Sequence, residues 1–439
     1  MPEAPHIAII GAGLSGLCLA QGLRMAGLDV AVYERDENAS VRAQGYRISM
    51  DARGTEALRA CLPDRLYELF EATCGQPSTG VTAFSSDGLS LRQEATMSFP
   101  DELRPGVPAV GRAVDRLILR ETLLAGLDGI VHFGKEFTSY DLDSTSVEAR
   151  FADGTAASCD VLIAADGVGS RVRQQFLPNT KLVDTGMRWL GGRTVLDDRL
   201  RGLLPDALTD KAVTLQDRGK AWFLAPVFFT QRPEEAAQAH RPGLDYTDND
   251  DFLMWALVGL RGEFMFTDEQ LFGASEAELH DLALGAVEGC HPMLSMLIGA
   301  ATPDRSFSLA IRALPVVDPW PSSRITFLGD AIHASPVNGT GANSALEDAA
   351  LLCTHLITGR AALQHALDEY ESELLKRVRA MRAGLAQTQA GTILGTLGQS
   401  GLMLSNPGDI GEKAWRTGAR SLMAIIRELG LTEPPGHTA

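Results

Sequence analysis

The sequence predicts an α/β (α+β) fold in which a parallel sheet with flanking helices carries an inserted antiparallel sheet. Three observations support this prediction. A strand, a glycine-rich turn, a helix and a second strand follow one another over residues 7–33. Two further apolar strands, near 159–165 and 324–328, each run into an aspartate. Between them, residues 182–304 hold short strand-like runs rich in Trp and Phe, which are typical of a separate sheet.

The remaining elements are predicted from hydrophobic spacing and turn residues. Ile7–Ile10 and Asp29–Tyr33 read as strands, and Leu14–Ala26 has helical spacing that stops at Gly27. Further along the chain we expect a helix at Ala57–Ala72, a hairpin at 80–94, a helix at Leu117–Leu127, a three-stranded meander at 130–165, a polar loop at 231–251, a strand at Arg324–Leu328, and helices at Ser344–Ile357 and Leu363–Thr388.

Composition favours a globular protein with a small-molecule ligand. The chain has 439 residues, of which 45% are hydrophobic and 22% charged, so a sizeable core can form. Its formal charge of −17 argues against nucleic acid or an anionic membrane as a partner. No apolar run reaches the roughly 18 residues that a membrane span needs, and strand formation from Ile7 leaves no room for a secretory signal. We therefore expect a cytoplasmic location.

Cysteine and arginine usage adds two expectations. The six cysteines form no CxxC pair, so neither a metal site nor a disulfide framework is predicted, in keeping with a reducing compartment. Six of the 39 basic residues are lysines and the rest arginines, which suggests a bacterial source. The oligomeric state has no signal in the sequence.

The first motif, Gly11-Ala12-Gly13-Leu14-Ser15-Gly16, lies between a strand and a helix. Its glycines permit a tight turn and the close approach of a pyrophosphate, while the helix N-terminus offers free N–H groups and positive partial charge. Glu34 ends the second strand, where a carboxylate can accept hydrogen bonds from a ribose diol. This arrangement predicts dinucleotide binding, and by itself it does not separate NAD from FAD.

Two later motifs favour FAD. Residues 159–173 form an apolar strand that runs into Asp166-Gly167 and then a basic helix start. Residues 324–343 form a strand that delivers Asp330, followed by a proline-glycine loop that opens a helix. A carboxylate at a strand end suits a polyol hydroxyl, and a glycine loop at a helix N-terminus suits a group with partial negative charge. A ribityl chain and a flavin pyrimidine edge meet both demands.

These three motifs, in this order and spacing, resemble those of the group A flavoprotein monooxygenases, the family of para-hydroxybenzoate hydroxylase and the tetracycline-inactivating monooxygenases. The resemblance covers roughly residues 5–60, 110–180 and 305–390. It implies a Rossmann-like FAD-binding domain of the glutathione-reductase type, with an inserted antiparallel-sheet substrate domain and C-terminal helices.

The resemblance also implies which residues bind the cofactor. The residues expected to hold the ADP half of FAD are Gly11, Gly13, Leu14, Ser15, Gly16, Glu34 and Arg35. Arg42 matches a family arginine near the isoalloxazine and phosphates, and Arg116 matches one that contacts FAD. Asp166 and Gly167 match a motif that serves both FAD and the nicotinamide cofactor.

The third motif is assigned to the flavin half in the same way. By resemblance, Asp330 holds the ribityl chain. The residues expected to border the flavin ring, where oxygen reacts, are Pro336, Gly339, Gly341, Ala342 and Asn343. Two other polar residues stay open: Arg47 is equally well a ligand contact or an outward-facing strand arginine, and His333 is better explained by a structural role than as a catalytic base. No catalytic acid or base is identified.

Domain boundaries and a substrate face complete the expectations. The FAD-binding domain is assigned to 1–77, 107–181 and 305–390, the substrate-binding sheet to 78–106 and 182–304, and a C-terminal helical segment to 391–439. Trp222, Leu224 and Pro226 share one face of a presumed strand and are the predicted substrate contacts.

The function implied by the resemblance is monooxygenation. FAD accepts a hydride from NADH or NADPH, reacts with O₂, and transfers one oxygen atom through a flavin C4a-hydroperoxide to a planar aromatic or polycyclic molecule, as in bacterial secondary metabolism. A flavin-dependent reductase of the same fold is the main alternative, and labelled oxygen in the product would exclude it. A non-catalytic FAD-binding module is a third possibility, which substrate-stimulated NAD(P)H oxidation would exclude. A halogenase is disfavoured because its Trp-x-Trp-x-Ile-Pro signature is absent.

Overall fold

The computed structural model describes residues 5–38, 46–98, 111–335, 341–359 and 362–389, together with the backbone of 102–104 and 107–108. Side chains are described as far as residue 382. In chain order the strands are β1 (His6–Ile10), β2 (Asp29–Tyr33), β3 (Arg47–Met50), β4 (Gly80–Ser86), β5 (Leu91–Ser98), β6 (Glu102–Arg104), β7 (Val107–Pro108), β8 (Arg112–Asp115), β9 (Val131–His132), β10 (Phe137–Leu142), β11 (Val147–Phe151), β12 (Ala156–Cys159), β13 (Val161–Ala164), β14 (Val183–Val195), β15 (Ala212–Asp217), β16 (Lys220–Val227), β17 (Phe252–Leu260), β18 (Phe307–Ala313) and β19 (Ile325–Phe327).

The helices of the described segments connect these strands. They are α1 (Leu14–Met25), α2 (Ala52–Cys61), α3 (Asp64–Ala72), α4 (Arg116–Leu124), α5 (Arg171–Phe176), α6 (Asp198–Arg201), α7 (Ala207–Asp210), α8 (Pro233–His240), α9 (Asp268–Gly273), α10 (Glu276–Ala286), α11 (Pro292–Gly299), α12 (Asp330–His333), α13 (Gly341–Thr358) and α14 (Leu363–Gln389).

A parallel sheet of order β19-β13-β1-β2-β9 forms the first layer. Its central strand β1 pairs with β2 on one side and β13 on the other, so that Ile10 lies opposite both Tyr33 and Ala164. Helices α1, α2 and α13 pack together, while the antiparallel sheet β10-β11-β12 contacts β1 and β13. The four strands β1, β2, β13 and β19 are buried and apolar because both faces of the sheet are covered.

A second, larger sheet has the order β18-β14-β17-β16-β15-β4-β5. Neighbouring strands are antiparallel except β15 and β4, which run parallel, so the predicted antiparallel sheet contains one parallel pair. Helices α9, α10 and α11 pack on one face and form a core with it that includes Leu224, Trp255 and Leu294. Strand β18 lies beyond the predicted limit at residue 304, and the division into domains remains a proposal.

A buried ion pair joins the large sheet to a two-stranded sheet formed by β3 and β8. Arg193 of β14 places its Nη1 2.9 Å from Oδ2 of Asp115, which ends β8 beside the parallel-sheet layer. Both side chains are almost fully buried. Arg193 also lies 3.2 Å from Asp248, and its guanidinium stacks over the Phe252 ring at 3.9 Å. This cluster fixes the position of the large sheet against the start of α4.

Most predicted elements are confirmed, and three are corrected. The predicted helix at Ala57–Ala72 is two helices, α2 and α3, because Pro63 interrupts the backbone hydrogen bonding. The predicted three-stranded meander at 130–165 contains the antiparallel strands β10, β11 and β12, but it also contains β9 and β13, which belong to the parallel sheet. The polar loop at 231–251 contains α8, which begins with Pro233 at its first position.

All six cysteines lie in described segments, and each is buried and unbridged, as expected. Among the described helices, none combines the length and apolar character needed to cross a bilayer. Tight turns lie at Asp87-Gly88, within the predicted hairpin, and at Asp153-Gly154, and both glycines have positive φ.

A second buried carboxyl group lies behind strand β19. Glu371 of α14 is 7% exposed, and burial raises its pKa to about 7, an effect that the neighbouring Thr326 hydroxyl and Trp320 indole partly offset. A carboxyl group with a raised pKa in the folded state stabilises the fold when it is protonated.

We expect Glu371→Gln to stabilise the protein above pH 7 by about 2–3 kcal/mol, because the amide cannot ionise in this site. The contribution of Glu371 is fully present below its unfolded-state pKa of roughly 4.5 and is lost as the pH rises through about 7. Thermal unfolding at pH 5 and pH 8 measures this, with the exposed Glu288→Gln as the control. Equal stabilisation at both pH values would contradict the ionisation of Glu371.

We expect Arg193→Met to lower the free energy of unfolding by about 3–5 kcal/mol, because Asp115 would remain buried without its partner. The double variant Asp115→Asn/Arg193→Met should lose less than the sum of the two single changes, since the uncompensated charge is then gone. Urea unfolding of the four proteins measures this coupling, and strictly additive losses would show that the pair does not join the sheets.

Candidate functional site

The three motifs meet at one edge of the parallel sheet. Gly11 follows β1, Glu34 follows β2, Asp166 closely follows β13, and Gly329–Asp330 follows β19. Since these strands are parallel neighbours, their carboxyl ends lie at the same edge. In the order β19-β13-β1-β2-β9 the chain moves from β1 to β2 in one direction and from β13 to β19 in the other, and ligands of doubly wound sheets bind where the strand order reverses in this way.

The glycine loop is packed so closely that two of its glycines are required. Gly11 has φ +108°, and a Cβ there would lie 2.5 Å from the carbonyl oxygen of Ala165. A Cβ on Gly16 would lie 2.2 Å from the carbonyl oxygen of Gly11. A Cβ on Gly13, in contrast, would meet no atom within 4 Å. The open space therefore lies beside Gly13, at the N-terminus of α1, where a pyrophosphate fits.

The next two residues of this loop, Leu14 and Ser15, place their side chains in different surroundings. The Ser15 Oγ lies 3.3 Å from the position of a Cβ on Gly329, so the first and third motifs are in direct proximity. Leu14 is 7% exposed and packs into the core, so it offers the ligand its backbone rather than its side chain. The first and third motifs, which are far apart in the sequence, are therefore neighbours in the structure.

Glu34 is buried at the end of β2 with both carboxylate oxygens hydrogen-bonded. Its Oε2 accepts from the N–H of Ala12 at 2.7 Å, and its Oε1 accepts from the N–H of Asp36 at 3.0 Å. A carboxylate at the end of the second strand is the group that contacts a ribose diol in dinucleotide-binding folds. Arg35 is exposed beside it, and Arg42 lies outside the described residues.

Helix α4 brings two arginines toward the glycine loop. Asp115 caps the helix by accepting from the N–H groups of Leu117 and Ile118 at 2.7 and 3.2 Å. Arg116, the predicted FAD contact, is half-buried, and its N–H donates to the carbonyl of Tyr46 at 2.9 Å. Arg120, which the sequence analysis did not assign, is buried and donates from Nε to the carbonyl of Ala12 at 3.2 Å. Its position four residues after Arg116, on the same helix face, was the available signal.

Asp166 and Gly167 build the turn after β13. The Oδ2 of Asp166 accepts from the N–H of Arg171 at 2.8 Å at the start of α5, and burial raises the pKa of this carboxyl group. Gly167 has φ +74°, which favours glycine. The pair therefore shapes the backbone that faces Gly11 across the sheet edge.

The third motif is fixed by a buried carboxylate, that of Asp348 on α13. Its Oδ2 accepts from the N–H of Gly329 at 2.8 Å and from Nε2 of His333, while its Oδ1 pairs with Arg377 at 3.0 Å. This leaves Asp330 exposed at the strand end, oriented by the turn before it. The structure supports a structural role for His333, which is 3% exposed.

The start of α13 lies beside β3. Gly341 is exposed and Ala342 half-buried, whereas Asn343 is buried and donates from Nδ2 to the carbonyl of Ser49 at 2.8 Å. The Asn343 Oδ1 accepts from the N–H of Asp51 at 3.0 Å. Asn343 therefore connects α13 to β3 and to the start of α2 through hydrogen bonds from both atoms of its side-chain amide. Pro336 and Gly339 lie outside the described residues.

The structure places two of the three predicted substrate contacts on β16 in the core. Trp222 and Leu224 are 1% and 0% exposed and pack into the core formed with α9, α10 and α11. Both faces of this strand are apolar, so alternation alone could not indicate which face meets the ligand. Pro226 is also buried, and its carbonyl accepts a hydrogen bond from Arg47 Nε at 3.1 Å.

The opposite face of the large sheet, here called the inner face, packs against the region of β3 and β8. Phe223, Trp189 and Leu309 on this inner face are only partly buried and pack near Tyr46 and Ala113, which flank β3 and β8. A cavity of about 240 Å³ lies elsewhere, between the β15–β16 turn and α10, and its lining includes no residue of the three motifs. The inner face is therefore the candidate substrate surface.

Comparison with known proteins identifies the class. A family model described as an FAD binding domain matches residues 5–201 and 301–384, which contain all three motifs. The chain belongs to this family, and its cofactor is FAD. The loop geometry fits this cofactor. Backbone packs closely against Gly11 and Gly16, whereas Gly13 faces open space at the N-terminus of α1, where a pyrophosphate can lie.

Particular relatives are FAD-dependent monooxygenases. A dual O-methyltransferase/FAD-dependent monooxygenase, CTB3 of Cercospora beticola, is 33% identical over 405 residues, covering 87% of this chain and 45% of that protein. The chain thus spans less than half the length of this relative. The 2-heptyl-3-hydroxy-4(1H)-quinolone synthase of Pseudomonas aeruginosa is 28% identical over 352 residues, covering 79% of each protein.

Solved structures show the same fold. An FAD-containing monooxygenase from Photorhabdus luminescens has 30% identity and a TM-score of 0.66, with 85% of this chain and 95% of that chain covered. Klebsiella pneumoniae HpxO, complexed with FAD and uric acid, has 24% identity and a TM-score of 0.67, with 98% of each chain covered. The predicted fold class is confirmed.

We expect Gly13→Ala to affect mainly FAD binding and Gly16→Ala to affect mainly the stability of the apoprotein. Gly13→Ala should leave the stability of the apoprotein unchanged but weaken FAD binding at least about 10-fold, because the methyl group occupies the pyrophosphate space. Gly16→Ala should destabilise the apoprotein by about 2 kcal/mol or more, because its Cβ collides with backbone. Thermal unfolding of apoprotein and FAD titration measure the two effects.

The control is Gly285→Ala on α10, where a Cβ also meets no atom within 4 Å. It should leave FAD affinity unchanged and raise the stability of the apoprotein by up to about 1 kcal/mol, because alanine is the better helix former. Unaltered FAD affinity in Gly13→Ala would contradict the placement of the pyrophosphate.

Proposed function

We propose that this chain is an FAD-dependent monooxygenase that uses NADH or NADPH and O₂ to insert one oxygen atom into a planar aromatic or polycyclic small molecule. The observation that carries the proposal is the convergence of three FAD motifs at one sheet edge, facing the apolar inner face of the large sheet. Membership of the FAD-binding family and the names of the relatives support it.

Bound FAD would supply the redox chemistry, accepting a hydride and activating O₂ at its C4a position. The chain's own residues bind and orient it. The N-terminus of α1 and Gly13 suit the pyrophosphate, Glu34 the ribose, and Asp330 the ribityl chain. The start of α13 provides N–H groups for the electron-rich edge of the ring.

The inner face of the large sheet would cover the flavin and exclude water. Phe223 and Trp189 lie 6.1 Å apart between ring centroids, and both keep part of their surface accessible. Partly accessible aromatic side chains beside a cofactor site suit a flat, apolar substrate. Exclusion of water would protect the oxygenating species from loss as peroxide. No acid or base of the described residues is required for these roles.

The names of the relatives agree with a planar substrate. They include a quinolone synthase, a 6-hydroxynicotinate 3-monooxygenase, and a structure with bound uric acid. A role in secondary metabolism is part of the proposal. Because matching proteins come from Cercospora as well as Pseudomonas, the predicted bacterial source remains a prediction, as does the cytoplasmic location.

The test is turnover under ¹⁸O₂ with a panel of planar aromatics, NADH or NADPH, and FAD-loaded protein. We expect one compound to accelerate NAD(P)H oxidation and to acquire one ¹⁸O atom per turnover, measured by mass spectrometry. A product that gains two hydrogens and no ¹⁸O would establish a reductase instead. Peroxide formed in equal amount to the NAD(P)H consumed, with every compound, would contradict monooxygenation.

A further inference from the structure

The cavity of about 240 Å³ lies at the end of the large sheet that is remote from β3 and β8. Ala221 of β16 lines it, whereas the other end of the same strand contacts β3, where the carbonyl of Pro226 accepts a hydrogen bond from Arg47 at 3.1 Å. At about 3.4 Å per residue, Ala221 and Pro226 are about 17 Å apart. The cavity is therefore separate from the region in which the FAD motifs converge.

Three parts of the chain enclose this cavity. Strand β17 contributes Val258, helix α10 contributes Leu282 and Gly285, and the segment that leads from β17 to α9 contributes Phe264 and Phe266. These side chains are apolar, and they approach the space from different directions. A molecule bound there would be removed from water over much of its surface, which is the usual situation of a small-molecule ligand.

Gly285 keeps the helical wall of the cavity open. It lies within α10, where glycine is about 1 kcal/mol less favourable than alanine. Its φ is not positive, and a Cβ there would meet no atom within 4 Å. Neither the backbone conformation nor contact with the described residues therefore requires glycine at this position. Its effect is to leave space beside the helix.

The segment that borders the cavity opposite α10 exposes a large apolar side chain. Met265 is 75% exposed, and the flanking Phe264 and Phe266 are only partly buried. The ring centroids of these two phenylalanines are 5.0 Å apart. Exposed apolar surface beside a concave space is typical of a binding site, and a flexible thioether is suited to contact with an aromatic ring.

The charged groups around the cavity favour an uncharged ligand. Glu263 and Asp281 line it at exposed positions, and their carboxylates repel an anion. Lys220 also lines it, but its amino group donates to the carbonyl of Ala286 at the end of α10. A cation would lose hydration against the apolar walls without gaining a buried counter-ion.

The volume of the cavity sets the size of the ligand. An apolar cavity of about 150 Å³ accommodates benzene, so a cavity of about 240 Å³ suits a molecule of about two fused rings.

We propose that this cavity is a second small-molecule site, separate from the FAD site, and that it binds a neutral planar molecule of about two fused aromatic rings. Phe264, Met265 and Phe266 contact the ligand from one side, and Gly285 leaves room for it against α10. The inference goes beyond the proposed function and does not depend on it, because none of the three motifs contributes to the cavity.

The test compares 2-naphthol, which is neutral at pH 7, with the anion 2-naphthoate on FAD-loaded protein. Equilibrium dialysis measures total binding, and the flavin absorbance separately reports binding beside the flavin. The variants Gly285→Leu and Leu282→Trp each place a larger side chain in the cavity. The control is Ala277→Leu, at an exposed position of the same helix outside the cavity lining.

We expect the unaltered protein to bind 2-naphthol at a site that leaves the flavin spectrum unchanged. 2-Naphthoate should bind there at least about 10-fold more weakly, because its carboxylate would lose hydration beside two other carboxylates. Gly285→Leu and Leu282→Trp should each weaken 2-naphthol binding at this site at least about 10-fold, because the new side chain occupies its place. Ala277→Leu should bind as the unaltered protein does, and FAD content should be the same in all four proteins.

Three results would overturn the proposal: no binding of 2-naphthol apart from that seen in the flavin spectrum, equal or tighter binding of 2-naphthoate at the second site, or retention of this site in the filling variants. Thermal unfolding shows which filling variants are folded, and either folded variant decides the question. Failure of the unaltered protein to bind FAD would contradict the proposed function, while dialysis would still report occupancy of the cavity.

Discussion

One buried carboxylate, that of Asp115, connects the main parts of the fold. It accepts hydrogen bonds from the first N–H groups of α4 and pairs with Arg193 of the large sheet. Through β8 it is also the strand neighbour of Arg47. Because Asp115 is excluded from water, the N–H groups of α4 and the guanidinium of Arg193 are both needed to keep its charge satisfied. The start of α4, strand β3 and the inner face of the large sheet are thereby held in a single relative arrangement.

The cofactor site depends on where side chains are missing as much as on where they are present. The backbone of β1, the turn after β13 and the start of α1 converge only because Gly11 and Gly16 lack Cβ atoms. Gly13, in the same turn, faces open space. Gly329 likewise has a positive φ and no space for a Cβ, and beneath it the carboxylate of Asp348 accepts its N–H and helps to fix the turn. Tight packing behind the site thus leaves a defined opening in front of it.

The sequence predicts the elements that carry the motifs well, because each has a strong local signal. Strand β2 occurs at Asp29–Tyr33 as predicted, and α1 ends beside Gly27, whose φ is +72°. The break at Pro63 was missed because apolar spacing continues through it. The sequence could not indicate which side of β16 meets a ligand, because residues on both faces of this strand are apolar. The pairing of Arg193 with Asp115 joins residues far apart in the chain and leaves no local pattern.

The two faces of β16 contact different parts of the protein, and this determines which positions tolerate substitution. Trp222 and Leu224 support the helix layer, whereas Phe223 and Ala225 point to the inner face. Neighbouring positions can therefore be varied independently: a combinatorial library confined to the inner-face positions of β14, β16 and β18 would explore new ligands without disturbing the helix-packed core. For the same reason, natural substitutions on the inner face can change the substrate with little loss of stability.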